Sequence, residues 1–197
     1  MDWRELLEDY QLVLGLNKYF ERPPWTLWAE ENQVEVKYPW RSPASQDEIR
    51  EAERRLGVAL PPTYLAFLSQ SNGWYGFNDA VCELYPLSKV AWVRDLEHAW
   101  IDDYLAAFGD PGPENDGRYL VYGHGAEQYE SRPRYLRSAL QISPVGDLAA
   151  VFLNPEVIHD GEWEAWFFAT WMSGALRCKS FADLFEAIVL DGKRALE

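Results

Sequence analysis

Apolar residues recur at helical spacing with unusual regularity in one stretch, residues 45–74. Ile49, Ala52 and Leu56 fall on one helix face, while Asp47, Glu48, Arg50, Glu51, Glu53, Arg54 and Arg55 cover the other. Ser45 and Glu48 stand three apart. At that spacing a serine side chain accepts from a free backbone N–H and the glutamate reaches back to the cap. Gly57 follows the last apolar turn, where a left-handed residue closes a helix. Pro61 and Pro62 open a second helix, whose first N–H groups have no partner in any case. Its stripe is Tyr64, Leu65, Phe67 and Leu68, and Asn72-Gly73 stops it. The stretch predicts a helix hairpin.

The same reading extends to both ends of the chain. Asp2 and Glu5 cap an initial helix with the stripe Trp3, Leu6, Leu7, Tyr10 and Leu14, closing at Gly15. Trp25, Leu27 and Trp28 follow Pro23-Pro24, and Val34, Val36 and Tyr38 alternate with Glu35 and Lys37 as in a half-buried strand. Beyond Trp74, short strands are expected within 81–84 and 90–93. A helix is expected over about 95–108 on Leu96, Ala99, Trp100, Tyr104 and Leu105, then an open Gly/Pro loop over 109–117. Further strands are expected at 119–122, 139–142, 148–153 and 163–170. Turns at Asn154-Pro155 and Asp160-Gly161 make the last two a hairpin with a long loop. Residues 163–170 are apolar on both faces, as suits a central strand covered on both sides. A final helix, capped by Ser180 with Asp183 three on, buries Phe181, Leu184, Phe185, Ile188 and Val189. Helices at both ends with antiparallel strands between them make the fold class α+β, a mostly antiparallel sheet with flanking helices.

Composition narrows the partners. With 197 residues, 48% apolar and 15% aromatic, the chain fits one domain with a sizeable core. Its formal charge of −14 repels a phosphate backbone and an anionic membrane surface, so neither nucleic acid nor membrane is the expected partner. The ten tryptophans therefore read as core, and a basic protein is the natural complement. Two cysteines, Cys82 and Cys178, make no disulfide framework and read as small buried thiols in apolar surroundings. No signal peptide and no long apolar run is apparent, so a reduced cytoplasmic location is expected.

The search for catalytic chemistry comes back empty. His98, His124 and His159 sit in no metal-ligand spacing, Gly123-His124-Gly125 lacks the rest of a phosphate loop, and neither cysteine is set in a nucleophile motif. No enzyme, cofactor or metal is expected. The acid distribution is more informative. Between Arg94 and Glu130 nine acids stand against two bases, and between Ser138 and Leu176 five acids (Asp147, Glu156, Asp160, Glu162, Glu164) stand against none. The bland reading is a solvated surface that aids solubility. The functional reading places a partner surface on Asp102, Asp103, Asp110, Glu114 and Asp116, on the outer face of a helix and its following loop, with the second region as the alternative.

The order Ile49, Ala52-Glu53, Leu56-Gly57, Leu60-Pro61, Tyr64, Phe67-Leu68, Asn72-Gly73 resembles the opening signature of the SUKH superfamily. More narrowly, it resembles the branch of Smi/Knr-like cell-wall-assembly regulators and bacterial immunity proteins. Downstream, Trp171, Arg177 and the run Ser180 to Phe185 are similar to the family's closing motif, with Cys178 where an aromatic is usual. The matches bracket roughly 43–189, leaving residues 1–42 as an extension packed on a domain over 43–195. The resemblance implies an antiparallel sheet with packed helices. It also implies an immunity protein that binds and neutralises a toxin domain, here a basic one such as a nuclease. Alternatively it implies a regulatory or small-ligand-binding scaffold.

Overall fold

The computed structural model describes residues 2–17, 21–96, 99–108, 116–122, 133–145, 149–171, 174–194 and 196. The first helix, α1 (Trp3–Leu16), is capped by Asp2, whose side chain accepts from the N–H groups of Arg4 and Glu5. It runs through Gly15 and buries Trp3, Leu7, Tyr10, Val13 and Leu14. The aromatic segment after Pro23 forms α2 (Pro24–Glu31), with proline in the first turn. The strand expected at Val34, Val36 and Tyr38 does not form. Gln33 turns the chain with φ 55°, and Val34 and Tyr38 are 48% and 41% exposed. Only Trp40 meets a neighbour by a single bridge, to Trp74. Alternation without a strand to pair with leaves the segment irregular.

The helix hairpin is present as read. In α3 (Gln46–Leu56) the capping box of Ser45 and Glu48 is complete, and Gly57 closes the helix at φ 73°. The Ser45 hydrogen bonds hold the Glu48 carboxyl below its ordinary range. The second helix, α4 (Pro62–Leu68), buries Tyr64, Phe67 and Leu68. Two short strands, β1 (Trp74–Tyr75) and β2 (Glu83–Leu84), pair antiparallel. Then β3 (Ala91–Trp92) leads into a 3₁₀ turn over Val93–Asp95, and Leu96 is extended. The next helix, α5 (Ala99–Phe108), thus starts later than its apolar pattern predicts. Residues 119–122, expected as a strand, begin instead as the end of a helical turn, α6 (Asp116–Tyr119). A second such turn, α7 (Pro133–Leu136), precedes β4 (Leu140–Gln141).

The main sheet is antiparallel, in the order β3-β4-β5-β6-β7, with β5 (Ala149–His159), β6 (Glu162–Ala169) and β7 (Gly174–Cys178) its long members. Asn154-Pro155 makes no turn. The strand continues through it with a bulge between Asn154 and Ile158, and the only reversal is Asp160-Gly161. Both of those residues have positive φ (51° and 85°), the backbone of a two-residue hairpin turn. Sequence reading gave β7 no place. Its register pairs Arg177 with Trp166 across β6.

Strand β6, interior between β5 and β7, is covered on both faces, as its composition predicts. Trp163, Ala165 and Ala169 join the larger apolar cluster with α1, α3, α4 and the final helix, α8 (Phe181–Arg194). Trp166 and Phe168 join a second cluster with Ile101, Tyr119 and Leu136. In the larger cluster Trp3 stacks on Phe181 at 5.8 Å and meets Phe185 edge-on at 5.5 Å. Ser180 caps α8 by accepting from the Asp183 N–H.

Candidate functional site

Strict alternation along β6 sends Glu164 to the same face as Trp166 and Phe168, into the second cluster, where it is fully buried. A lone carboxylate there is untenable without compensation, because desolvation costs several kcal/mol. Five donors surround it, four from other segments and Trp166 from its own strand. Tyr122 Oη (2.7 Å) and Arg177 Nη1 (3.1 Å) reach Oε1. Tyr119 Oη (2.6 Å), Asn154 Nδ2 (2.9 Å) and Trp166 Nε1 (2.7 Å) reach Oε2. Arg177 is itself buried, with its guanidinium carbon 4.0 Å from the Tyr119 ring centre, and it also donates to the Tyr119 carbonyl.

Burial, and then the neighbouring Glu164 charge, push the Tyr119 and Tyr122 phenols well above their ordinary range. Both stay protonated as donors. A carboxylate only accepts, so Tyr122 must donate to it. His159 Nε2, 2.9 Å from the same phenol oxygen, is therefore the protonated ring nitrogen. With its lone pairs met, Glu164 is a structural joint that ties the 119–122 segment to β5, β6 and β7.

The residues named from the sequence as a partner surface separate into three groups. Asp102 and Asp103 are exposed on α5, whose opposite side packs Ile101 in the second cluster and Tyr104 against Phe168 at 5.3 Å. Asp102 forms an ion pair with Arg137 just after α7, so Asp103 carries the less compensated charge. Asp116 is the first residue of α6. Asp110 and Glu114 lie outside the described residues.

The alternative acidic region is thinner than its composition. Glu164 is buried, and Glu162 accepts from the backbone N–H and hydroxyl of Thr63 at the start of α4 (2.9 and 2.8 Å). Asp147 lies outside the described residues, which leaves Glu156 and Asp160 exposed. The thiols differ too: Cys178 is buried, its pKa pushed up to about 12 chiefly by burial, whereas Cys82 is exposed. The sequence reading missed Glu164 and its phenols. Their one legible signal was Arg177, a cation in an otherwise apolar run. Trp171, from the same motif, is 59% exposed in the β6–β7 turn.

A model of the SMI1 / KNR4 family (SUKH-1) matches residues 43–187, which include the hairpin, the sheet and the first half of α8. The chain is also 26% identical over 133 residues to an uncharacterized protein of Bacillus subtilis (strain 168), YnaB. That similarity covers 68% of this chain and 80% of the relative. Among the described residues, no helix is long and apolar enough to cross a membrane.

Proposed function

The chain belongs to the SMI1 / KNR4 family (SUKH-1), and we propose that it is a cytoplasmic immunity protein that binds and neutralises a basic toxin domain of a bacterial competition system. The observation that carries this reading is charge on a rigid support. In a molecule of formal charge −14, Asp102 and Asp103 stand exposed on a helix whose inner side is packed into the core. Such a surface raises the encounter rate with a cationic partner and orients it, and a stoichiometric inhibitor needs no catalytic group of its own. A nuclease is the first toxin class to test, because a protein that binds nucleic acid carries the complementary charge.

The test is co-expression and co-purification with the product of the adjacent gene, followed by association kinetics. Changing Asp102, Asp103, Asp110, Glu114 and Asp116 together to Asn or Gln slows association and flattens its dependence on ionic strength, while stability stays nearly constant. Unchanged kinetics and salt slope would move the contact elsewhere, with Glu156 and Asp160 as the next candidates. Absence of any complex would remove the reading. A second reading, a regulatory or ligand-binding module, is favoured by one observation, a groove beside α1.

A further inference from the structure

A concavity of about 400 Å³ opens between the first turns of α1 and the link that precedes α3. One wall, with Arg4, Leu7, Tyr38 and Trp40, comes from residues before the family match. Pro43 and Gln70 come from within it. The volume is that of a small-molecule site.

Its chemistry runs against the rest of the molecule. Tyr38 and Trp40 stack on one another, 5.0 Å between ring centres at 3°, and the stack lines the groove. Arg41 is held rigidly at the base. Its guanidinium lies 3.8 Å from the Tyr75 ring centre and donates to Glu83, and its backbone N–H donates to Ser71 Oγ at 3.0 Å. Only 17% of that side chain is exposed, and its buried Nε meets no hydrogen-bond partner among the described residues. Among the lining residues two cations, Arg4 and Arg41, stand against one carboxylate, Glu8, and Glu83 lies behind Arg41. Both carboxylates are already engaged, Glu8 by Arg4 and Glu83 by Arg41 and Lys89. In a protein of formal charge −14, a lining with two arginines to one carboxylate beside stacked aromatic rings departs from the acidic surface elsewhere.

We infer that this groove binds a small aromatic carboxylate. The ring packs against Tyr38 and Trp40, and the carboxylate takes charge-assisted hydrogen bonds from Arg4 and Gln70 at the rim. The site is independent of the immunity reading, since it lies on α1 and the 38–43 link and uses none of the α5 carboxylates.

The probe is indole-3-acetate, with indole and acetate as its two halves, titrated at millimolar concentration into the ¹⁵N-labelled full chain. Trp40→Phe identifies the Trp40 indole resonance. Indole-3-acetate is expected to shift the Trp40 indole N–H and the Gln70 amide, and to bind at least about tenfold more tightly than either half. Arg4→Ala and Gln70→Ala, both at exposed positions, each weaken it about tenfold at an unchanged melting temperature. No shift, shifts confined to residues away from the groove, equal binding of indole alone, or unaltered binding by both variants would each overturn the site. Toxin association measured on the same two variants is expected to be unchanged. That keeps failure here apart from failure of the immunity reading.

Discussion

Glu162, the first residue of β6, closes the N-terminus of α4 by accepting from both the backbone N–H and the hydroxyl of Thr63. Pro61 stands at the capping position and has no side-chain oxygen, so α4 has no cap within its own sequence. The sheet supplies the carboxylate, where the helix end favours negative charge. Replacing Glu162 with Ala is expected to cost about 1–2 kcal/mol in urea denaturation, and Glu156→Ala close to nothing. Equal effects would mean that the contact to Thr63 carries no stability.

The Glu164–Arg177 pair makes a sharper prediction. Glu164→Leu or Arg177→Met alone leaves a buried charge uncompensated and costs about 3–5 kcal/mol. The double variant is expected to cost less than the two singles together by more than about 0.5 kcal/mol, the range within which independent sites add. Additivity in denaturant melts would show that the two charges are not coupled.

Two glycines with positive φ separate backbone strain from collision. A Cβ at Gly57 meets nothing within 4 Å, so Gly57→Ala costs only the left-handed backbone, about 1–2 kcal/mol. At Gly76 a Cβ would sit 2.3 Å from the Pro24 carbonyl carbon, backbone against backbone. Gly76→Ala is expected to lower the melting temperature far more than Gly57→Ala. The reverse order would place the 76–24 approach wrongly.

Alkaline titration tests the buried phenols together. Burial raises Tyr10, Tyr64, Tyr119 and Tyr122 in the folded state above their ordinary value near 10. Unfolding releases phenols that ionise near pH 10, so the native state holds more protons above that pH. The stabilisation they contribute is fully present below about pH 10 and is lost as pH rises, by up to about 1.4 kcal/mol per unit for each group. Chemical denaturation from pH 8 upward is expected to be flat and then to fall steeply. A stability that stays level to about pH 11 would contradict the burial of these four rings.

What the sequence made legible was governed by neighbours along the chain. Ser45 with Glu48, Gly57, and the caps of α1 and α8 follow rules that act within a few residues, and all four appear where expected. The errors arose where a distant partner decides. Val34, Val36 and Tyr38 alternate correctly, but among the described residues no strand pairs with them. Asn154-Pro155 reads as a turn, but pairing with β6 resumes at Ile158 and carries the chain through as a bulge. Strand β7 was invisible because Arg177 interrupts its apolar pattern, and the reason for an arginine there is a carboxylate on the adjacent strand. For the same reason Glu162 and Glu164 read from the sequence as surface acidity. Their partners, Thr63, Tyr119 and Tyr122, are 42 or more residues away.

The packing of Trp3 against Phe181 and Phe185 has a consequence for how this protein is made. Helix α1 leaves the ribosome with an apolar stripe whose partner, α8, is synthesised only after the sheet. The hairpin of α3 and α4 and the strand pair β5–β6 can form while the chain is still growing, but α1 cannot finish its core until α8 emerges. Until then Trp3, Leu7 and Tyr10 lack the α8 face that covers them, a period in which sequestration by a chaperone competes with misassociation. Closure of α1 on α8 is a late, long-range contact, of the kind that slows folding.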